Sequence, residues 1–211
     1  MNLANGIKSV IPGVHGAVLE VLGRTNEPLS GRGVAQLVGD RASTKGVYLV
    51  LRALTTEGIV TAKEHPSTIF YQLNREHLAA SSIEDLAHLR ERLIEAIHVE
   101  IASWPVAPYG AWIFGPFARG TAGSQSDIDV LVTRPKGAKL ENEQWRKQLH
   151  DMTRKVSRWT GNDCRVAEFS QAEFLQLFSN NDRLARELRS DALSLTSRRL
   201  PVLKSTKGNA R

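Results

Sequence analysis

Apolar residues in the first part of the chain recur at the three- and four-residue spacing of helices. The stretch "VHGAVLEVLGR" has this spacing, and "SGRGVAQLVGD" follows with Ser30 as a candidate N-cap. A longer amphipathic helix is predicted for "STKGVYLVLRALTTEG", beginning at Ser43 or Thr44 and stopping at Gly58. Three helices are therefore expected before residue 59.

The pattern changes after Gly58 from helical spacing to short runs around turn residues. The stretch "IVTAKEHPSTIFYQL" predicts two strands joined by "EHPS". Three helices followed by a hairpin predict a winged helix-turn-helix domain over residues 1–75.

Residues 76–104 have apolar positions at helical spacing throughout and are predicted to form one long connecting helix. The stripe consists of Leu86, Leu89, Leu93, Ile97 and Ile101. Such a helix would either connect two domains or form the interface of a homodimer, and the sequence leaves both possibilities open.

A different alternation starts after Pro105 and Pro108, which end the helix. Strands are predicted at "YGAWIF", "SDIDVLVT" and "DCRVAEFS", with a long amphipathic helix between the second and third and helical sequence after the third. Strands separated by helices indicate an α/β domain over residues 105–211.

Composition and charge narrow the class of protein. The 211 residues contain no apolar run of the roughly 20 residues that a membrane helix requires, and no secretory signal pattern, so a cytoplasmic protein is expected. Cys164 is the only cysteine, which excludes an internal disulfide and a cysteine-based zinc site. The net charge of +6 suggests a polyanionic partner.

Two aspartates stand on an otherwise apolar strand in "SDIDVLVT". Side chains alternate along a strand, so Asp127 and Asp129 are expected on one face, where their repulsion favours a hard cation such as Mg²⁺ between them. Glu168 in "RVAEF" is a candidate third carboxylate on that face, or else a strand-end surface residue. The preceding loop offers Gly115, where a phosphate could approach the backbone closely.

The motif "ARGTAGSQSDIDVLV" resembles the nucleotidyltransferase superfamily of the polymerase beta type, in its minimal branch. The resemblance covers about residues 105–185 and implies a mixed sheet with helices on one face. It also implies a two-metal Mg²⁺ site and attack by a hydroxyl on the α-phosphorus of a nucleoside triphosphate, with release of pyrophosphate. The implied metal ligands and catalytic residues are Asp127, Asp129 and Glu168. The implied nucleotide-binding residues are Gly115, Pro116, Arg119 and Ser126.

One residue of this motif departs from the family pattern. Pro116 replaces the serine that follows the glycine, and proline offers a phosphate neither a hydroxyl nor an N–H. Arg119 has two interpretations, a contact to phosphate or acceptor and a salt bridge that shapes the loop.

The first 75 residues resemble the winged helix-turn-helix transcription factors, with "VLRALTTEGIV" fitting the end of their third helix. By this resemblance the third helix enters the major groove of duplex DNA and the wing meets the backbone. The residues so implicated are Arg41, Ser43, Thr44, Lys45, Tyr48, Lys63 and His65. A protein-interaction module is the alternative for this domain.

Two functions from different classes follow. One is an enzyme that transfers a nucleoside monophosphate from a triphosphate to an unknown acceptor. The other is a DNA-binding transcriptional regulator whose nucleotidyltransferase fold senses a nucleotide or is inactive. Pro116 favours the regulator, whereas Asp127, Asp129 and Glu168 favour the enzyme. A third possibility is a component of a toxin–antitoxin pair, which no residue of the sequence specifically indicates.

Overall fold

The computed structural model describes residues 1–201 and divides them into two compact units. The first unit contains Asn2 and residues 4–92, and the second contains Met1, Leu3 and the described residues from Leu93 onward. Within residues 1–201, every helix is too short or too polar to cross a membrane.

The first unit consists of helices and a three-stranded antiparallel sheet in the order β1-β3-β2. A 3-10 helix spans Gly6–Ser9 and another spans Gly39–Arg41. The other elements are α1 Val14–Gly23, β1 Leu29–Ser30, α2 Gly31–Val38, α3 Thr44–Thr56, β2 Val60–His65, β3 Thr68–Leu73 and α4 Ala80–Ala87. The three predicted helices and the hairpin are present.

Two serine caps fix where α2 and α3 begin. The hydroxyl of Ser30 accepts a hydrogen bond of 3.0 Å from the N–H of Gly33, and the hydroxyl of Ser43 accepts one of 3.1 Å from Gly46. The apolar faces of α2 and α3 then bury Val34 and Leu51 in one core. Local sequence therefore determined both helix starts.

The prediction of one long helix over residues 76–104 is wrong. The segment forms α4, which belongs to the first unit, and a separate helix α5 at Leu89–Ala102. His88 leaves the helical conformation between them, with φ −105° and ψ 20°. Ile83 of α4 lies in the first unit's core, whereas Ile97 and Ile101 of α5 lie in the second unit's core, so the two helices cover different apolar surfaces.

The second unit is an α/β unit with a four-stranded mixed sheet, as predicted. Its strand order is β6-β5-β4-β7, in which only β5 and β6 run parallel. The elements after α5 are β4 Gly110–Phe114, α6 Gly115–Ala118, β5 Ile128–Arg134, α7 Glu143–Thr160, β6 Cys164–Ser170, α8 Gln171–Ser179, α9 Arg183–Asp191 and β7 Leu193–Ser194.

Helices cover both faces of this sheet, so the expectation of helices on one face is wrong. Val130 and its neighbours on one face pack against α5 and α7, with Trp145 fully buried. Trp112 and Leu131 on the other face pack against α8 and α9, where the Phe174 ring stacks on Trp112 at 4.8 Å. The sequence "VLV" of β5 is apolar on both alternating faces, which requires cover on both sides.

Candidate active site

Asp127 and Asp129 lie at the start of the central strand β5. Asp127 immediately precedes the strand and Asp129 is its second residue, paired with Phe114 of β4 and Arg165 of β6. Strand alternation places both aspartates toward the face that carries Leu131. The predicted pairing of the two carboxylates is present.

Burial and the neighbouring charge of Asp127 both raise the pKa of Asp129. Its pKa is raised above the ordinary aspartate value first by burial and second by the negative charge of Asp127, while the Arg165 guanidinium opposes the shift. Because like charges in a partly buried place destabilise each other, a cation between the two carboxylates would relieve this repulsion.

Gly115 lies directly against Asp129, and its position excludes any side chain. Its φ is +72°, and a Cβ atom placed there would stand 2.8 Å from Oδ2 of Asp129. Pro116 occupies the first turn of α6, where a missing N–H removes no hydrogen bond from the helix. The loop therefore brings the backbone of Gly115 close to the Asp129 carboxylate.

Arg119 and Ser126 hold the loop that leads into β5. Arg119 donates a hydrogen bond of 2.9 Å to Asp191 of α9, which is the salt-bridge alternative considered for this residue. The Ser126 hydroxyl accepts one of 2.9 Å from the N–H of Gly123. In this structure both side chains shape the loop, and their contacts to a nucleotide stay a prediction.

Glu168 does not join the aspartates. It pairs with Val132 in the parallel register, three residues along the strand from the Asp129–Arg165 pair, and that odd offset places it on the opposite face of the sheet. Its carboxylate accepts hydrogen bonds of 2.8 Å from Nη1 of Arg134 and from Nε1 of Trp145. The expectation that Glu168 shares a face with Asp127 and Asp129 is therefore wrong.

Arg165 occupies the position beside the aspartates where a third carboxylate was expected. It is paired with Asp129 in the sheet, and its Nη1 lies 2.8 Å from Oδ2 of Asp127. The Arg165 side chain is 70% exposed, so solvent and ligands can reach it. Sequence reasoning missed this residue, because the register of β6 against β5 is set by packing and not by a local motif.

The aspartate pair can hold one hard cation rather than two. Among residues 1–201, no three His, Cys, Asp or Glu side chains are grouped so as to hold a metal ion. Magnesium commonly uses one or two carboxylates and completes its shell with water and substrate phosphate, which two aspartates satisfy. The cluster expected for a two-metal site is not assembled by the described residues.

Cys164 contributes no chemistry to this site. Burial, with a smaller contribution from the charge of Asp129, raises the pKa of its thiol to about 12. A thiol with such a pKa is protonated and unreactive near neutral pH.

The residues predicted to bind DNA are all exposed, and two of them also form bonds within the first unit. Thr44, Lys45 and Tyr48 are exposed on the first turns of α3, and Lys63 and His65 are exposed on β2. Ser43 is exposed as well, and it is also the cap of α3. Arg41 forms an ion pair with Glu20 and donates a hydrogen bond of 2.8 Å to the carbonyl of Val38, so it stabilises the unit internally.

Residues 96–189 match the family model described as a nucleotidyltransferase domain. This segment is somewhat less than half of the chain and contains Gly115, Asp127 and Asp129. The match, together with the mixed α/β sheet, supports nucleotidyl transfer as the general class of chemistry for the second unit.

No curated protein matches the sequence. Among solved structures, one described as a toxin–antitoxin with AMP-PNP is 17% identical, covers 52% of this chain and 74% of its own, and has a TM-score of 0.33. Human N-acetylserotonin methyltransferase in complex with SAM is 20% identical over 47% of this chain and 32% of its own, with a TM-score of 0.28. TM-scores this low do not establish a common fold.

Proposed function

We propose that the second unit transfers a nucleoside monophosphate from a nucleoside triphosphate to an acceptor hydroxyl, with Asp127 and Asp129 as the catalytic carboxylates. The observation that supports this most directly is that Asp129, one of the two paired aspartates, lies against Gly115 within the segment that matches the nucleotidyltransferase model.

In this proposal Asp127 and Asp129 hold a Mg²⁺ ion together with the phosphates of the nucleotide. Such an ion would neutralise charge on the triphosphate and lower the pKa of the attacking hydroxyl. Gly115 leaves room for a phosphate next to Asp129. Arg165 forms an ion pair with Asp127. In this proposal its guanidinium leaves that carboxylate and pairs with a phosphate of the substrate instead.

The test combines binding and transfer. Wild-type protein is titrated with a non-hydrolysable triphosphate and Mg²⁺ by calorimetry, and is incubated with radiolabelled triphosphates, Mg²⁺ and cell lysate. The Asp127→Asn, Asp129→Asn double variant should lose both signals. A matched Glu141→Gln, Glu143→Gln variant, which removes the same charge outside the site, should retain them. Equal behaviour of the two variants would remove the aspartate pair from the mechanism.

Pro116 is tested separately because it departs from the family pattern. Pro116→Ser adds an N–H and a hydroxyl at the first turn of α6, where a phosphate next to Gly115 would be within their reach. If the nucleotide binds as proposed, the variant should bind the Mg²⁺-triphosphate more tightly than the wild type does. Unchanged affinity would place the triphosphate away from this turn.

We also propose that the first unit is a winged helix domain that binds duplex DNA. The element order from α1 to β3 and the exposed side chains at the start of α3 support this. Lys45→Ala should weaken the mobility shift of duplex DNA and reduce the salt dependence of binding by about 0.9 per lost phosphate contact. Absence of any shift at low salt would make the unit a protein-interaction module.

The second candidate function, a DNA-binding regulator with a nucleotide-sensing or inactive second unit, is favoured by Pro116. It predicts Mg²⁺-dependent nucleotide binding that changes DNA affinity without any labelled product. Transfer that depends on Asp129 would select the enzyme instead.

A further inference from the structure

Asn162 is a polar residue that the fold buries in the connection between α7 and β6. It is only 4% exposed. It follows Gly161, whose φ of +71° ends α7, and it precedes β6, which begins at Cys164. Burying an amide is unfavourable unless its N–H and C=O groups are hydrogen-bonded. The position of Asn162 therefore depends on the partners of its side chain.

The Asn162 amide donates both of its hydrogen bonds to the loop that precedes Asp127. Nδ2 lies 3.1 Å from the carbonyl oxygen of Ser124 and 3.0 Å from the carbonyl oxygen of Ser126. Ser126 is the residue directly before Asp127. The amide nitrogen of asparagine carries two N–H donors, so these two bonds use its full donor capacity. Oδ1 accepts a hydrogen bond of 2.7 Å from the nitrogen of Met1.

The backbone around Asn162 attaches the same loop at a further point. The N–H of Ile128, which lies between the two aspartates, donates a hydrogen bond of 2.8 Å to the carbonyl of Asp163. Asn162 is itself fixed to the end of α7, because its own N–H donates a hydrogen bond of 3.1 Å to the hydroxyl of Thr160. The loop before β5 is thus tied to the end of a helix that packs in the core of the second unit.

Asp127 depends on this loop more than Asp129 does. β5 begins at Ile128, so Asp129 is held by its sheet pairing with Phe114 and Arg165, whereas Asp127 lies outside the strand. The backbone of Asp127 is therefore positioned by the loop before it. The separation of the two carboxylates follows from how that loop is held.

We propose that Asn162 is a positioning residue for the site of nucleotide binding. Its two donated hydrogen bonds hold the loop so that Asp127 stands beside Asp129, where the two carboxylates can share one cation. The proposal rests on the proposed function of the second unit and adds to it a residue that acts through Asp127. Groups that hold metal ligands in place change metal affinity by about 10–100-fold when they are removed.

The test measures the loop and the ligand separately, with the full chain in both cases. Hydrogen exchange is followed without metal or nucleotide. In Asn162→Ala the amides of Ser126 and Ile128 should exchange about tenfold faster, because the loss of two hydrogen bonds makes local opening of the loop easier. Calorimetry with Mg²⁺ and a non-hydrolysable triphosphate should show affinity about tenfold weaker than that of the wild type.

Gln148→Ala is the matched control, because Gln148 is also a buried amide that bonds to the backbone. It is 5% exposed, and its Nε2 donates a hydrogen bond of 2.8 Å to the carbonyl of Val106. It lies about 18 Å from Thr160 along α7, at 1.5 Å per residue. Gln148→Ala should lower the melting temperature as Asn162→Ala does. It should leave nucleotide affinity and the exchange of the loop amides unchanged.

A milder variant covers the case in which Asn162→Ala does not fold. Asn162→Ser keeps one hydroxyl donor, which can serve at most one of the two carbonyls. Its affinity for the Mg²⁺-triphosphate should still be lower than that of Gln148→Ala.

Faster loop exchange together with weaker nucleotide binding in the Asn162 variants, and neither effect in Gln148→Ala, supports the positioning role. Unchanged loop exchange overturns it, and so does faster exchange with unchanged nucleotide affinity. Equal losses of affinity in the Asn162 and Gln148 variants also overturn it, since the effect would then follow from general destabilisation.

The aspartate variant separates this proposal from the proposed function. If Asp127→Asn, Asp129→Asn keeps nucleotide binding and transfer, the proposed function fails whatever the Asn162 variants do. If the aspartate variant loses both signals while Asn162→Ala binds the nucleotide as the wild type does, only the positioning role fails.

Discussion

Nη1 of Arg165 lies 2.8 Å from Oδ2 of Asp127, across the parallel pair of strands β5 and β6. This ion pair gives Asp127 a positive partner, which a cation bound at the aspartates would have to share or displace. The site therefore combines two carboxylates with one arginine, rather than the three carboxylates that the sequence suggested. Metal binding and the position of Arg165 should be coupled.

Replacing Arg165 tests this coupling. Arg165→Asp would place a third carboxylate beside Asp127 and Asp129, which should lower the melting temperature without metal and increase the stabilisation produced by Mn²⁺. Ligand at 100 times its Kd stabilises a protein by about 2.7 kcal/mol, so the difference is measurable in thermal melts. Arg165→Ala is the control that removes the charge without adding a ligand. Identical Mn²⁺ responses in the two variants would contradict the coupling.

Asp129→Asn should stabilise the protein at neutral pH while abolishing transfer. The pKa of Asp129 is raised in the folded state, so ionisation of this carboxyl destabilises the folded protein. The destabilisation develops as the pH rises from the unfolded pKa of 3.8 through the folded pKa. The asparagine variant avoids it. Its advantage in melting temperature should disappear as the pH falls below 3.8, where the wild-type carboxyl is protonated in both states. A variant less stable than wild type at pH 7 would be inconsistent with the burial of an uncompensated charge.

Gly115→Ala and Gly120→Ala form a matched pair. Both glycines have positive φ, +72° and +74°, so both substitutions carry the backbone cost of roughly 1–2 kcal/mol. Only at Gly115 would the new Cβ meet Oδ2 of Asp129, since nothing lies within 4 Å of the position at Gly120. Chemical denaturation should show a larger loss of stability for Gly115→Ala, and calorimetry should show loss of nucleotide binding for it alone. Equal losses of stability and of nucleotide binding in the two variants would show that Gly115 is not part of the nucleotide site.

Glu168→Ala should reduce stability without affecting the affinity for Mg²⁺-nucleotide. Its carboxylate is the acceptor for Arg134 and Trp145, and leaving these donors unpaired in a mostly buried place costs about 1–3 kcal/mol. Glu168→Gln retains one acceptor oxygen and should recover part of the loss. Urea unfolding measures the stability, and calorimetry measures the affinity for Mg²⁺-nucleotide. A drop in this affinity would indicate that Glu168 is a metal ligand after all.

The local elements were predictable because each depends on residues close together in sequence. Ser30 and Ser43 cap their helices through N–H groups three residues away, and "DID" on a strand forces Asp127 and Asp129 onto one face whatever the rest of the fold does. The break at His88 was not predictable from spacing, since the apolar stripe continues through it. It arises because α4 and α5 pack into two different cores.

The sequence by itself determined the helices, the strands, the aspartate pair and the glycine beside it, since alternation and capping act over a few residues. Only the tertiary structure decided which residue of β6 faces that pair. Strand register depends on how the apolar side chains of β5 and β6 pack against α5, α7, α8 and α9, and a shift of one residue exchanges the two faces. That register placed Arg165 at the aspartates and directed Glu168 to Arg134 and Trp145.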